Sequence, residues 1–235
     1  NVLIQVKKIA IDQNIVLVHG GGVLVDQMLS SQGLKTQKLD GIRVTPKSHI
    51  LPVVGALAGQ ANKLLCASAK SCGLPTVGLM VSDGETLVCE PVGKQWGQVG
   101  NPLPGCGSLI QSLWSQGFIP VFSSIGVSQS GELLNINADH AAAALAQLLS
   151  AKLLFVSDVE GVLDEKLNPL PQLNTQSIKS LITQGVIRDG MVAKVNAALQ
   201  AAQCLGDGVH ICGWGNTQQI IDVSLNKATG TQISY

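Results

Sequence analysis

A run of three glycines and several polar residues at the starts of candidate helices could do chemistry in this sequence. The glycines, residues 20–22, follow the apolar segment 15–18 and precede the candidate helix 23–31. A strand, a glycine loop and a helix in this order present backbone N–H groups to an anion. In the alternative interpretation the glycines only permit positive φ in a tight turn. The loop has neither the Lys-Ser/Thr of a Walker A motif nor the G-x-G-x-x-G spacing.

A polar cluster formed by Asn135, Asn137 and Asp139 precedes the candidate helix 141–149. A lone residue of this kind is usually a helix cap, and Asn137 or Asp139 can accept a hydrogen bond from the first free N–H groups. Three of them at alternate positions would line one wall if the segment is extended. The cluster is therefore predicted to be either a cap or part of a binding site.

Two cations and one acid have positions that favour a role in binding. Arg43 follows the glycine loop; it is a surface residue by default, but it could clamp a carboxylate with two parallel bonds. Lys194 lies in the first turn of the candidate helix 191–205, where the helix dipole is already positive, which suggests a bound anion. Asp158 follows the apolar strand 153–156, and open parallel sheets bind ligands at the carboxyl ends of strands.

The composition excludes several classes of protein. Lys plus Arg and Asp plus Glu number 15 each, so the chain has no electrostatic footprint for nucleic acid. No apolar run approaches the ~20 residues of a membrane helix, and we expect the protein to carry no secretory leader. The six cysteines form no C-x-x-C pair, and the four histidines are scattered. We interpret the cysteines as reduced core thiols of a cytoplasmic protein without a metal site.

The elements around these residues alternate between short apolar strands and helices, which favours an α/β fold with a parallel sheet covered on both faces. A length of 235 residues allows one large domain or two lobes. Residues 84–107, rich in Gly and Pro, are predicted to form hairpins over a site. The other predicted elements are helices at 1–10, 55–71, 108–117 and 174–184 and strands at 75–81, 118–122, 208–212 and 230–233.

Seven segments of the chain match a known family in its order. They are Val18-His-Gly-Gly-Gly22, Asp40-Gly-Ile-Arg-Val-Thr-Pro46, Gly55-Ala-Leu-Ala-Gly-Gln-Ala-Asn-Lys63, Ser123-Ser-Ile-Gly126, Asn135-Ile-Asn-Ala-Asp139, Ser157-Asp-Val-Glu-Gly-Val-Leu-Asp164 and Asp189-Gly-Met-Val-Ala-Lys-Val195. By these motifs the chain resembles the bacterial N-acetylglutamate kinases of the amino acid kinase family. The glycine loop and Ser-Asp-Val-x-Gly-Val are typical of amino acid kinases in general, whereas Arg-Val-Thr-Pro and Gly-Ala-Leu-Ala-Gly point to the N-acetylglutamate kinases.

The resemblance implies a three-layer αβα sandwich with a central, mostly parallel sheet. Residues 1–147 would form an N-terminal lobe for the acyl amino acid and for dimerisation, and residues 148–235 a C-terminal nucleotide lobe. The implied reaction is phosphoryl transfer from ATP, accompanied by Mg²⁺, to the side-chain carboxylate of N-acetyl-L-glutamate. This reaction is the second step of arginine biosynthesis. The implied assembly is a homodimer.

The resemblance also implies roles for individual residues. Gly21 and Gly22 would contact the acceptor carboxylate, Arg43 the α-carboxylate and Asn135 the acetylamino group. Lys194 would stabilise the phosphoryl group in flight, and Asp139 would orient that lysine and its counterparts. The nucleotide pocket would be lined by Asp158, Val159, Glu160, Gly161, Val162, Leu163, Val186, Ile187 and Arg188.

One family motif has no match in this sequence. The family begins with a strand ending in Lys-Leu-Gly-Gly, which supplies a second catalytic lysine, and no Lys-x-Gly-Gly precedes Ile15. We therefore expect the intact protein to begin with a further strand of this kind. Two alternatives stay open: an amino acid kinase with aspartate, glutamate, carbamate or UMP as acceptor, and a non-catalytic ligand-binding or regulatory subunit.

Overall fold

The computed structural model describes residues 2–39, 41–158, 160–166, 168–188, 190–227 and 229–235, and their contacts form two units. The N-terminal unit comprises Asn14–Leu149. The C-terminal unit comprises Ser150–Tyr235 together with the start of the chain up to Gln13. This grouping differs from the predicted lobes at the start of the chain. The first helix, α1 (Val2–Ile9), packs against α9 (Gln218–Ser224) of the C-terminal unit.

The contacts of α1 explain this difference. Its apolar residues Leu3 and Val6 are buried, and Gln5 donates a hydrogen bond to the hydroxyl of Thr217, with 3.2 Å between Nε2 and Oγ1. After the helix, Gln13 donates to the carbonyl of Ser224. The helical spacing of the apolar residues predicted the helix correctly, but it contained no information about which unit their face would contact.

The N-terminal unit has a three-stranded sheet in the order β1 (Leu17–His19), β7 (Ile119–Ser123), β4 (Thr76–Met80), with both pairings parallel. Every residue of the central strand β7 is buried, as expected for a parallel sheet covered on both faces. His19 lies opposite Ser123, so the glycine loop leaves the sheet at the carboxyl end of a strand.

One continuous helix of this unit runs from Ile50 to Ser71. It consists of α3 (Ile50–Val54), a π-helical segment (Gly55–Ala61) and α4 (Asn62–Ser71). Its residues Val53, Ala56 and Leu57 pack in one core cluster with residues of α2 (Gly22–Ser31).

The same helix is long and apolar enough, with 22 residues and a mean hydropathy of 1.4, to cross a membrane. The sequence contains no uninterrupted apolar run of that length, because Gln60, Asn62 and Lys63 divide it. Asn62 and Lys63 donate hydrogen bonds to the carbonyls of Val121 and Gly78 in the parallel sheet. These bonds and the buried apolar residues make the helix a packed part of the N-terminal unit.

A second sheet in the N-terminal unit carries Asn135. Its order is β5 (Leu87–Pro91), β6 (Val99–Pro104), β9 (Leu133–Ile136), β8 (Ile125–Val127), and β5 and β6 form the predicted hairpin. Since β6 pairs with β9, the hairpin lies beside the strand that carries Asn135 and widens its sheet. The antiparallel pair β2 (Gln37–Leu39) and β3 (Ile42–Val44) carries Arg43. The remaining helices of the unit are α5 (Ser108–Ser115) and α6 (Ala138–Leu149).

The C-terminal unit has a mixed four-stranded sheet. Its order is β10 (Leu154–Ser157), β12 (Val209–Gly213), β13 (Thr231–Ile233), β11 (Gln172–Leu173), and only the pairing of β12 with β13 is antiparallel. Besides α1 and α9, its helices are α7 (Thr175–Thr183) and α8 (Gly190–Leu205). The wholly parallel sheet β1–β7–β4 of the N-terminal unit and the largely parallel sheet of the C-terminal unit, each accompanied by helices, agree with the predicted α/β class.

The six cysteines are all free thiols, as predicted, but only Cys89 and Cys212 belong to the core. Burial raises the pKa of Cys89 to about 11 and that of Cys212 to about 12, so both remain protonated and unreactive. Cys106 and Cys204 are exposed, which corrects the interpretation of the whole set as core thiols.

Candidate active site

The glycine loop, residues 20–22, connects β1 to α2. None of the three glycines has φ in the left-handed region, so the tight-turn interpretation does not explain them. A Cβ on Gly21 would lie 3.0 Å from Leu57 Cδ2, and one on Gly20 would lie 3.4 Å from the Cβ of Ala138. A Cβ on Gly22 would meet open space, where α2 begins without a side-chain cap. The backbone of the loop packs closely against Leu57 and Ala138 on one side and faces a cavity on the other. This close packing accounts for the first two glycines.

This cavity of about 210 Å³, the Arg43 cavity, lies within the N-terminal unit. All four residues predicted to bind the acceptor, Gly21, Gly22, Arg43 and Asn135, line it. Its other lining residues are Gly20, Val25, Lys38, Gly41, Ile42, Leu57, Ser124, Ile136, Asn137 and Ala138. Residues separated by more than a hundred positions in the chain therefore converge on one small space.

Arg43 is held in this cavity by its neighbours and is not a surface residue, since its side chain is only 9% exposed. Its Nη1 donates to Asp26 Oδ1 at 2.6 Å and to Thr36 Oγ1 at 2.7 Å, and its Nη2 donates to the carbonyl of Gly22 at 3.3 Å. The hydrogen bond from the guanidinium holds the pKa of Asp26 below its usual range. Asp26 and Thr36 could not be identified from the sequence, because their bonds to Arg43 depend on how the β2–β3 hairpin packs against α2.

Asn135 lies on β9 with a fixed amide. Its Nδ2 donates to the hydroxyl of the fully buried Thr45, at 3.0 Å, and this hydroxyl donates to the carbonyl of Arg43, at 3.3 Å. With Nδ2 engaged, Oδ1 is the atom that Asn135 can offer to an N–H group of a ligand. The side chain of Thr45 thus couples the positions of Asn135 and Arg43.

The segment that contains Asn135, Asn137 and Asp139 is not extended throughout, which corrects the prediction of a single wall. Asn137 caps α6: its Oδ1 accepts from the backbone N–H of Asp139 at 2.9 Å and of His140 at 3.0 Å. Asn135 and Asn137 line the cavity, whereas Asp139 lies in the first turn of α6. Burial lowers the pKa of His140, and the neighbouring charge of Asp139 opposes this shift.

In the C-terminal unit, the segment after β10 carries the residues predicted to bind the nucleotide; Val159 lies outside the described residues. Ser157 donates to the carboxylate of Asp158 at 3.0 Å. The amide of Gln219 connects two backbones: its Oε1 accepts from Gly213 N–H at 3.0 Å and its Nε2 donates to Glu160 O at 3.3 Å. Gln219 is itself 7% exposed, and it was not identified from the sequence because its partners come from distant segments.

The buried hydroxyl of Thr231 fixes the next part of this segment. Thr231 accepts from the backbone N–H of Val162 at 2.8 Å and donates to the carbonyl of Leu170 at 2.7 Å. Gly161 has a φ of 143°, and a Cβ there would lie 2.7 Å from Thr231 Oγ1. Leu163 pairs with Pro169 in an isolated bridge. Glycine is therefore required at position 161 both by conformation and by space.

The remaining predicted residues lie where α7 ends and α8 begins. The N–H groups of Val186 and Ile187 donate to the carbonyl of Leu181, the side chain of Ile187 is buried, and Arg188 is exposed. Helix α8 begins at Gly190, one residue before the predicted start, so the half-buried Lys194 is its fifth residue and lies beyond the first turn. Because the effect of the helix dipole falls off within the first turn, the position of Lys194 is weaker evidence for a bound anion than the sequence suggested.

Comparisons with known proteins identify the family of the chain. The model of the amino acid kinase family matches residues 1–213. The acetylglutamate kinase of Shewanella oneidensis is 43% identical over 225 residues, 96% of this chain and 86% of that relative. The acetylglutamate kinase of Shewanella denitrificans is 45% identical with the same coverage.

Solved structures show the same fold. The structure of smu.665 from Streptococcus mutans has a TM-score of 0.84 and 27% identity, over 99% of this chain and 91% of that one. N-acetylglutamate synthase from Neisseria gonorrhoeae has a TM-score of 0.83 at 20% identity, over 100% of this chain and 55% of that one. These likenesses confirm the predicted α/β fold with its parallel sheet flanked by helices.

Proposed function

Because this chain belongs to the amino acid kinase family, we propose that it transfers the γ-phosphoryl group of ATP to the side-chain carboxylate of N-acetyl-L-glutamate. The product is N-acetyl-L-glutamyl 5-phosphate, in the second step of arginine biosynthesis. The observation that carries the proposal is the convergence of Gly22, Arg43 and Asn135 on one cavity. These groups match the two carboxylates and the amide N–H of an N-acylated acidic amino acid.

Each end of the acceptor has a counterpart in the cavity. The backbone N–H groups of Gly21 and Gly22 bind the side-chain carboxylate at the positive end of α2. Arg43 binds the α-carboxylate, and Oδ1 of Asn135 accepts from the acetamido N–H. A volume of about 210 Å³ is below the ~300–1,000 Å³ of sites for drug-sized ligands. This volume supports a small acyl amino acid over a nucleotide such as UMP as the acceptor.

Phosphoryl transfer requires positioning and charge neutralisation more than covalent catalysis. Lys194 stabilises the phosphoryl group during transfer, and Asp139 orients Lys194 and the other cations. Asp158, Glu160, Gly161, Val162 and Leu163, with Val186, Ile187 and Arg188, line the nucleotide pocket. Gln219 and Thr231 support this assignment, because they hold the backbone of residues 160 and 162 in place.

Mg²⁺ accompanies ATP and neutralises charge on its phosphates. Among the residues that the structure describes, no group of three or more His, Cys, Asp or Glu side chains could hold a metal ion. At kinase sites Mg²⁺ is usually held mainly by nucleotide phosphates and water, and we propose the same arrangement for this protein.

The proposed assembly is a homodimer in the cytoplasm. Leu51 and Leu64 on the helix Ile50–Ser71 are 69% and 56% exposed, and an interface formed by this helix would bury them. Light scattering of the purified protein in detergent-free buffer should give twice the chain mass; a monomer mass would contradict the dimer.

An acceptor panel tests the proposed reaction. ADP release should be measured with N-acetyl-L-glutamate, L-glutamate, L-aspartate, carbamate and UMP under identical conditions. N-acetyl-L-glutamate should give the highest kcat/KM, because only this acceptor engages Arg43 and Asn135 together. A higher kcat/KM with another acceptor would replace the proposed substrate, and nucleotide binding without turnover on any acceptor would contradict the kinase assignment.

A further inference from the structure

The family motif at residues 55–63 supplies no side chain that the proposed chemistry uses, yet it contains a buried polar residue. Asn62 is 1% exposed and lies where the π-helical segment passes into α4. Its backbone N–H donates to the carbonyl of Leu57. Because a π-turn closes on the fifth residue, Asn62 lies on the same side of the helix as the buried Leu57 and faces the parallel sheet.

The hydrogen bonds of Asn62 have only one consistent direction. Lys63 Nζ donates to Asn62 Oδ1 at 3.0 Å and to the carbonyl of Gly78 at 3.2 Å. Asn62 Nδ2 donates to the carbonyl of Val121 at 2.9 Å and points its other hydrogen at His19 Nε2, 3.0 Å away. Since an ammonium group can only donate, it fixes which end of the Asn62 amide carries oxygen.

The direction of these bonds determines the tautomer of His19. Its Nε2 accepts from Asn62, so its proton lies on Nδ1, which donates to the carbonyl of Gly20 at 2.8 Å. In a planar trans peptide the carbonyl of one residue and the N–H of the next point in opposite directions. Holding the Gly20 carbonyl at the imidazole therefore directs the N–H of Gly21 away from it. Without this bond, a peptide between two glycines would turn over readily.

Gly78 shows that the chain is built around this amide. A Cβ on Gly78 would overlap Asn62 Oδ1 and would lie 2.7 Å from Lys63 Nζ. Its φ is not in the left-handed region, so the strand β4 needs glycine here for space and not for conformation.

We propose that His19 and Asn62 are positioning residues that fix the peptide between Gly20 and Gly21, and with it the N–H that receives the acceptor carboxylate. Lys63 sets the direction of the Asn62 amide, and Gly78 leaves room for it. The inference rests on the proposed function, because it concerns the glycine loop of the acceptor cavity. None of these side chains touches the substrate, so their loss acts on acceptor binding through the loop.

The neutral state of His19 is part of the arrangement. Burial lowers the pKa of His19, and the positive charge of Lys63 acts in the same direction, while the bond to Gly20 opposes both. Protonation of Nε2 would place two donors against each other at the Asn62 amide. We therefore expect the KM for N-acetyl-L-glutamate to rise as the pH falls through the pKa of His19, with the KM for ATP unaffected.

A matched pair of variants at position 19 provides the test. Asn and Leu have nearly the same shape, but only Asn places a donor near the position of Nδ1. His19→Asn should keep the KM for N-acetyl-L-glutamate within about threefold of the unmodified protein, whereas His19→Leu should raise it roughly tenfold. Neither variant should change the KM for ATP. Equal KM values for N-acetyl-L-glutamate in the two variants would overturn the proposal.

Asn62→Asp gives a second readout that a purely structural role would not move. The carboxylate of the variant accepts a hydrogen bond only from a protonated Nε2. A neutral His19 with its proton on Nε2 has no proton on Nδ1 to donate to the carbonyl of Gly20. The Gly20 bond therefore persists only while His19 is doubly protonated. The KM for N-acetyl-L-glutamate should then rise with increasing pH, opposite to the unmodified protein. Asn101→Asp, at an exposed residue of β6, should keep the original profile. An unchanged direction of the profile in Asn62→Asp would overturn the proposal. If this variant does not fold, the position-19 pair decides.

The unmodified protein in the same assays separates a failure of the proposed reaction from a failure of the positioning role. No turnover of N-acetyl-L-glutamate by the unmodified protein would contradict the proposed function. Normal turnover together with position-19 variants that share one KM would contradict only the positioning role.

Discussion

Arg43 depends on its neighbours, because Asp26, Thr36 and Gly22 engage its guanidinium before any ligand does. We expect Arg43→Ala to raise the KM for N-acetyl-L-glutamate by about 10- to 100-fold, the value of a charge-assisted bidentate pair, with little effect on the KM for ATP. Asp26→Asn should raise it only about two- to fivefold, because the Asp26 side chain is 45% exposed and its ion pair is screened. Steady-state kinetics with Asp12→Asn as control test both values, and equal effects on the two substrates would remove Arg43 from the acceptor site.

Lys194 belongs to the transfer step in the proposed mechanism. Lys194→Ala should lower kcat by about 10²- to 10³-fold and leave ATP affinity nearly unchanged, because the charge acts mainly in the transition state. Lys179→Ala, an exposed lysine of α7, is the matched control. ATP binding should be measured by calorimetry. A near-normal kcat in Lys194→Ala would show that Lys194 has no role in the transfer step.

At the scale of elements, two asparagines cap helices but lie in different surroundings. Asn137 caps α6 and lines the Arg43 cavity, whereas Asn174 caps α7 through a reciprocal pair with Ser177. Asn137→Ala and Asn174→Ala should each lower the unfolding free energy by about 1 kcal/mol. Only Asn137→Ala should also raise the KM for N-acetyl-L-glutamate. If both variants leave this KM unchanged, Asn137 is a cap alone.

The sequence predicted these elements where local signals were strong, and it did not predict their long-range partners. The glycine run, Arg43 and Asn135 were assigned to one site through the family motifs that contain them, whereas local signals predicted only the strands and helices around them. The Arg43–Asp26 pair spans 17 residues and depends on the β2–β3 hairpin. The Asp-Gly pair at positions 40 and 41 is a local signal for such a hairpin, but it does not specify that the hairpin packs against α2. The π-helical segment was equally hidden, because a run of small residues has no periodicity that would reveal a shifted turn. Asn62 was therefore predicted only as part of an ordinary helix.

At the scale of the whole molecule, three half-buried histidines link stability to pH. Burial lowers the pKa of His19, His140 and His210 below the ordinary value of 6.5. Below that value the unfolded chain binds more protons than the folded one, so stability is fully present above about pH 6.5 and is lost as the pH falls through the folded pKa values. Denaturant midpoints at pH 7.5 and 5.5 should show this loss.

His210 provides the control for this prediction, since it lies in the C-terminal unit with Lys152 and Asp207 as its charged neighbours. His210→Gln should reduce the difference between the two midpoints. An equal difference in the variant and the unmodified protein would assign the pH dependence to other groups.

The most direct test of the account asks which carboxylate of the acceptor receives the phosphoryl group. Arg43 is assigned to the α-carboxylate and the glycine loop to the side-chain carboxylate, so the reaction has a defined regiochemistry. The purified protein, ATP, Mg²⁺ and N-acetyl-L-glutamate should be incubated with hydroxylamine, which traps an acyl phosphate as its hydroxamate, and the product should be identified by NMR. The account predicts the 5-hydroxamate; the α-hydroxamate, or ADP formation with no hydroxamate, would contradict it.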